Sequence, residues 1–316
     1  MKRFFALLIL LLVLATIAIY ILIPATLKIA AVNIIPTNSE AAFRVISIRS
    51  NWIKWTIGDA PADVQVDNNG AFTKDGTSFV INEILHNAAK IKITQGNLQT
   101  SSLFTIMPVT KDSSLMQWES EISTGSNPFT KIQRYTQALA LKKSINSILS
   151  NLHQFLEKQD NVYGYNFHVG STTDTVLVAF KSHSTNYPDT KTIYNNIYNL
   201  QEYVTKKGGK QVAPPMLNIT QTENNTYDYM VALPVDKRIV ADLPYLYRQL
   251  VPGSFLITKI YGGEARINDA LLMMQLYIND NGKTPVAIPF RRLITDRLNN
   301  PDSAKWETEI YFPIVR

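Results

Sequence analysis

The closing stretch KWETEIYFPIV, residues 305–315, sets two carboxylates and a phenol, Glu307, Glu309 and Tyr311, between Trp306, Thr308, Ile310 and Phe312. In a strand the side chains at i and i+2 share a face, so Glu309 and Tyr311 are neighbouring titratable groups. Such a pair can act as acid and base on a small hydrophobic substrate. The alternative is that Glu307 and Glu309 are solvated strand residues paired with Lys or Arg. Tyrosine is abundant, at 15 residues, and Tyr194, Tyr198, Tyr247, Tyr261 and Tyr311 supply flat, amphipathic surface suited to a ligand cleft, as does Trp306.

Other chemistry is sparse. There are 0 cysteines, which removes disulfides, thiolate metal sites and a cysteine nucleophile. The 4 histidines, His86, His153, His168 and His183, show no two-histidine metal spacing. No Gly-x-Ser-x-Gly elbow and no phosphate-binding glycine loop occurs, so neither a metal nor a cofactor is expected. The net charge of +6 is diffuse, compatible with an anionic membrane nearby but without the basic run that direct nucleic-acid binding needs.

The elements that must position these residues begin with an apolar segment. From Phe4 to Ile23 no residue is charged, and as a helix this length spans the ~30 Å hydrocarbon core. A cleaved signal peptide is the competing reading. Cutting after Ala25, Ala30 or Ala31 would leave Ile23, Lys28 or Ile29 three residues before the cut, none of them small, so an uncleaved anchor in the lipid bilayer is expected through residues 4–23. Lys2 and Arg3 before the span, against Lys28 alone close after it, place the N-terminus in the cytoplasm and the soluble domains outside it.

After KIAAVNII, Asn38 or Ser39 can cap a short helix ending near Asn51. Strands are expected at Ser78–Ile81, Lys90–Thr94, Leu103–Met107 and Leu115–Ile122, separated by turn signals at DNNG, KDGT and QGN. A long helix follows from about Lys131 to Lys158, with Ala138, Leu141, Ile145, Leu149, Leu152 and Leu156 on one face. This element order, with NWIKW after the first helix, resembles the START-like (SRPBCC, polyketide-cyclase-like) superfamily. The resemblance implies a helix-grip fold with a cavity between helix and sheet; a filled core is the alternative.

From Val162 the chain repeats itself. TVLVAF, a helix bearing Ile193, Ile197, Leu200 and Val204, and YDYMVALPV match FLITKI, a helix bearing Ile267, Leu271, Met274 and Ile278, and WETEIYFPI. The offset is 74 residues in the helices and 79 at the pair Pro234 and Pro313. Each copy reads strand, helix, strand, strand, with Gly208 or Gly282 ending the helix. Two copies joined in one sheet bury both helices on one side, leaving Glu307, Glu309 and Tyr311 on the other. The duplicated unit, with GGEARINDALLMMQLYINDNG, looks like the gyrase-inhibitor-like (GyrI-like) effector-binding domain of AraC-type and MerR-type regulators. That resemblance implies a cleft at the pseudo-twofold junction for hydrophobic, often cationic, compounds. Where that family carries Pro-x-Glu-x-Tyr, this chain has Pro289, Arg291 and Leu293. A guanidinium repels cations and prefers carboxylates or phosphates, so Arg291 is expected to alter ligand choice.

The expected organisation is therefore α+β: a transmembrane anchor (1–25), a START-like helix-grip domain (26–160) and an effector-binding domain of two βαββ repeats with an antiparallel sheet (161–316). The expected function is membrane-anchored binding of a small hydrophobic or amphipathic ligand, with Tyr194, Tyr198, Tyr247, Tyr261, Arg291, Trp306, Glu309 and Tyr311 as binding residues. The alternative is a hydrolase using Glu309 and Tyr311.

Overall fold

The computed structural model describes residues 2–56 and 71–315; the DNNG turn signal lies outside them. The chain forms two compact units, 1–162 and 163–316.

In the first unit α1 (Lys2–Leu22) is the apolar helix, and no residue from Arg3 to Leu22 is buried. Strand β1 (Thr26–Ile35) leads to α2 (Ser39–Ser47), where the Asn38 side chain accepts from the Glu40 backbone N–H at 2.8 Å. The helix expected to end near Asn51 stops at Ser47, and a 3₁₀ turn (Arg49–Asn51) then runs into α3 (Trp52–Thr56), so NWIKW itself is helical. The meander β2 (Ala71–Lys74), β3 (Thr77–Leu85), β4 (Ala88–Gln95), β5 (Leu98–Thr110) and β6 (Ser113–Ser123) completes an antiparallel sheet ordered β1-β6-β5-β4-β3-β2. These strands run longer than their apolar cores, because ladder hydrogen bonds carry the pairing out into polar residues. Helix α4 (Pro128–Leu156) starts with Asn127 capping the Phe129 N–H at 2.9 Å and proline in its first turn, where a missing N–H costs nothing. Its buried face, from Ala138 to Leu156, covers the sheet.

The division between the units falls in the one-turn helix α5 (Gln159–Tyr163). The second unit contains β7 (His168–Gly170), then the first repeat, β8 (Val176–Ser184), α6 (Thr190–Lys206), β9 (Met216–Gln221) and β10 (Tyr227–Pro234). After β11 (Tyr245–Gln249) comes the second repeat, β12 (Ser254–Tyr261), α7 (Glu264–Asp280), the two-residue β13 (Thr284–Pro285), β14 (Phe290–Leu293) and β15 (Glu307–Val315). All pairings are antiparallel, in the order β11-β8-β10-β9-β14-β15-β12-β7, with β13 on β15. The repeats thus enter the sheet as mirror-ordered triplets that meet at β9 and β14, through Leu217 opposite Arg291 and Met216 opposite Arg292.

Both helices end the same way. Gly208 and Gly282 adopt φ +69° and +57°, and the next residue's N–H reaches back into the last turn, from Gly209 to the Val204 carbonyl and from Lys283 to the Ile278 carbonyl. Only a residue without a Cβ enters this left-handed cap freely, so two glycines at one offset mark the duplication in the backbone itself.

Candidate functional site

The sheet of the second unit has two differently furnished faces. On the face toward the helices, Val178, Leu217, Val231 and Leu233 pack with Ile193, Ile197, Leu200 and Val204 of α6. Arg291 projects to this side from the centre of the sheet, opposite Ile310 of β15. Its side chain is only 6% exposed and that of Arg297 only 3%, and both bind Glu264 in the first turn of α7. Glu264 Oε1 accepts from Arg297 at 2.6 Å, while Oε2 accepts from Arg291 and, at 2.6 Å, from the Tyr187 hydroxyl. Arg291 also donates to Asn268 Oδ1 at 3.2 Å, and Arg297 donates to Thr308 Oγ1 at 2.9 Å while lying 4.7 Å over the Trp306 ring.

Burial pushes the Glu264 carboxyl up, but Arg291, the Tyr187 hydroxyl and Arg297 outweigh it and hold the group below its usual range. Burial raises the Tyr187 phenol to about 12, so it stays a donor. Two guanidinium cations thus share the one Glu264 carboxylate. The loop after β14 closes over it: Tyr194 and Tyr198 of α6 donate to the Thr295 carbonyl at 2.7 Å and to Asp296 at 2.9 Å, and Trp306 Nε1 donates to the Asn300 carbonyl at 2.7 Å. Arg291, which replaces the family's glutamate, is thus bound by the chain's own Glu264, Tyr187 and Asn268. Tyr194, Tyr198, Arg291 and Trp306 gather around this junction.

Among the described residues of the second unit, no helix packs on the opposite face. Leu177, Ala179, Met216, Ala232, Phe255, Ile257, Phe290 and Tyr311 form a second cluster there. Phe290 and Tyr311 sit opposite each other in register and stack at 5.0 Å with 5° between planes, and Phe255 meets both edge-on at 5.9 Å. Arg292 lies 4.6 Å over the other side of Tyr311 and is held by Asp174 at 2.7 Å. Tyr311 donates to Glu309 at 3.0 Å. Burial pushes the Tyr311 phenol up to about 12, with Glu309 adding to the rise and Arg292 opposing it. A phenol so placed keeps its proton near neutrality, which suits a hydrogen-bond donor better than a base. Glu307 pairs with Lys259 at 2.7 Å.

Beside these rings lies a groove of about 700 Å³ lined by Leu250, Val251, Pro252, Phe255, Val286 and Ile314 among others, with no charged side chain among the described residues of its wall. A smaller hollow of about 120 Å³ adjoins it at Leu250, between Met216, Met230 and Phe290. Of the residues expected to bind ligand, Glu309, Tyr311 and Tyr261 belong to this face. Tyr247 does not: it lies on the edge strand β11 opposite Val178, on the helix side, with Arg238 over its ring at 4.9 Å. The eight expected positions are thus divided between the two faces of one sheet and do not form one site.

Sequence reasoning missed Glu264, Arg297, Tyr187 and the groove walls at 249–255 and 286–287. Glu264 reads as an ordinary acidic residue in a first helical turn, favoured there by the helix dipole whatever it touches. The groove walls are short loops whose apolar residues follow no helical or strand period, so no local signal marks them.

In the first unit the space between α4 and the sheet, where the resemblance implied a cavity, holds Trp52, Trp55, Phe72, Phe79, Phe104 and Trp118, all under 2% exposed among the described residues. Trp118 Nε1 donates to Ser102 Oγ at 2.9 Å, which donates on to the Ile91 carbonyl. A concavity of about 540 Å³ lies on the other face of the sheet, over Lys28, Leu103, Glu119 and Glu121. Two of the four histidines make local hydrogen bonds, His153 to Glu157 and His183 to Asp228, each at 2.9 Å. Among the described residues no group of three or more His, Cys, Asp or Glu is placed to hold a metal ion.

No family model matches this sequence, and no curated protein matches it. Among solved structures, the EcmrR–DNA complex is 16% identical over 60% of this chain and 72% of its own, with a TM-score of 0.45. SAV2435 bound to tetraphenylphosphonium is 15% identical over 48% of this chain and 94% of its own, at 0.31. A START superfamily protein from Mycobacterium smegmatis is 14% identical over 40% of this chain and 98% of its own, at 0.26. Likenesses this slight bear on neither activity nor ligand. The α+β architecture rests on the chain's own antiparallel sheets and helices.

Proposed function

We propose that this chain is a membrane-anchored binding protein for small hydrophobic or amphipathic molecules, held by residues 4–23 with its soluble units outside the cytoplasm. The ligand lies in the groove at the paired ends of β12 and β15, bordering the helix-free face of the second unit. The groove beside Phe255 and the Phe290–Tyr311 stack carries this reading: its volume suits a small molecule and its wall is apolar. An ion placed against the described residues of that wall would lose its hydration without gaining a charged partner, so the apolar part of the ligand enters and any charged group stays outside. This differs from the cation preference that the family resemblance implied, and it agrees with the closure of the helix-side junction by Glu264, Arg291 and Arg297.

The test is photolabelling of the full chain in nanodiscs with alkyl-diazirine amphiphiles bearing ammonium, carboxylate or hydroxyl heads. Labels should map to residues 249–255 and 286–287 with little dependence on the head. Ala287 is exposed in the groove wall, so Ala287→Trp should fill the space without disturbing the fold and cut labelling about tenfold, the loss of ~1.4 kcal/mol of binding. Labelling confined to α1 and its lipids, or unchanged by Ala287→Trp, would remove the groove from consideration. A reporter fused at the C-terminus that is active only in the cytoplasm would reverse the topology.

A further inference from the structure

The end of α1 is fastened to the first unit rather than tethered loosely. The buried ammonium of Lys131, on the first turn of α4, donates to the Ile23 carbonyl at 2.7 Å and lies 5.4 Å over the Tyr20 ring. The Tyr20 hydroxyl donates to the Ser126 carbonyl in the loop before α4. Thr124 closes the far side, its hydroxyl donating to the Pro24 carbonyl at 2.8 Å and its N–H to the Ala25 carbonyl at 2.9 Å. The first turns of α4 therefore sit at a fixed height beside the point where α1 ends.

That part of α4 has a second apolar face besides the one buried on the sheet. Phe129 is 82% exposed, and Ile132, Tyr135 and Leu139 continue the stripe at 42%, 42% and 52%. Their spacing of three or four residues puts them on one side of the helix. The stripe stops at Lys142 and Lys143, and Ser150, further along the same side, is exposed and polar. A helix gains nothing in water from a four-residue apolar stripe headed by a phenylalanine this bare. A helix end at a bilayer boundary does, because aromatic and apolar side chains are stable at headgroup depth while lysines reach the water above.

We infer that the first turns of α4 dock into the lipid interface around the exit of α1, with Phe129 and Ile132 deepest and Tyr20 beside them. The inference rests on α1 spanning the bilayer, and it adds that the first unit is set against the membrane surface at a defined face. The occupant is lipid because the stripe begins where α1 ends, Tyr20 and Ile23 being bound to Ser126 and Lys131 on either side of Phe129.

The chain has no cysteine, so single-cysteine labels report one site each. Phe129→Cys, Ile132→Cys, Ser150→Cys and Leu12→Cys, each carrying an environment-sensitive nitrobenzoxadiazole label, would be reconstituted in phosphatidylcholine vesicles with and without brominated acyl chains. All four positions are exposed, so the fold is not at stake. Labels at 129 and 132 should shift to shorter wavelength and be quenched by brominated lipid to an extent approaching that at 12, whereas the label at 150 should behave as in water. Quenching at 12 but not at 129 or 132 overturns the docking while leaving the anchor intact. No quenching at 12 overturns the anchor itself. A blue shift at 132 that follows protein density in the vesicle and ignores bromination would mean that a second copy covers the stripe, and would also overturn the proposal.

Discussion

Replacing Glu264 by Gln tests whether the helix-side junction of the second unit is held by charge. The side chain keeps its shape, but the amide supplies one neutral acceptor where two guanidinium groups, 6% and 3% exposed, had shared a carboxylate. Its NH₂ then faces donors. Breaking a buried ion pair by removing one partner costs about 3–5 kcal/mol. Glu264 itself is 29% exposed, so water relieves part of this and the lower end, about 3 kcal/mol, is expected. At about 2–4 °C per kcal/mol for a unit of this size, the melting transition of the second unit should fall by about 6–12 °C. Differential scanning calorimetry of the full chain resolves this if the first unit's transition stays put.

Acid provides the second half of the test. The folded-state carboxyl titrates below its ordinary value, so the wild-type advantage is complete above the ordinary carboxylate range and disappears as pH falls through the depressed value. The wild-type and Glu264→Gln melting curves should therefore converge in acid. A difference below about 2 °C near neutrality, or one that persists unchanged in acid, would refute the claim that this carboxylate holds the two arginines.

The other predictions concern the open face and the repeat. Tyr311 should ionise only near pH 12, seen as an alkaline phenolate absorbance step missing in Tyr311→Phe; ionisation near the ordinary value of 10 would mean that the Phe290 stack opens in solution. Gly282→Ala and Gly208→Ala force an L side chain into the left-handed region and should each cost about 1–2 kcal/mol in denaturant melts, so a loss at one site alone would contradict the equivalence of the two helix ends.

Local periodicity made the long helix α4, the paired helices α6 and α7 and the strand β15 legible, because each must bury a face whose apolar spacing the chain itself records. The closing stretch shows the rule at single-residue level: Ile310 and Phe312 go to the helix side while Glu309 and Tyr311 go to the other, as strand alternation requires. The strand edges and the helical course of NWIKW were not legible, since ladder bonds and an aromatic cluster of distant rings fix them. The site was less readable still. Tyr194 and Tyr311 are both tyrosines in apolar surroundings, yet they fall on opposite faces of one sheet, and composition does not distinguish them.

What the sequence by itself determined is the apolar span, the α+β pattern and the duplication that makes two βαββ units share a sheet. Only the tertiary structure decided that Arg291 meets Glu264 and Tyr187, partners 27 and 104 residues away, so that a cation-repelling side chain becomes a closed junction. Burial patterns repeat every two or three to four residues and are written locally in the chain. The partner of a buried charge is chosen by how strands are ordered in the sheet, and no short-range spacing encodes that order.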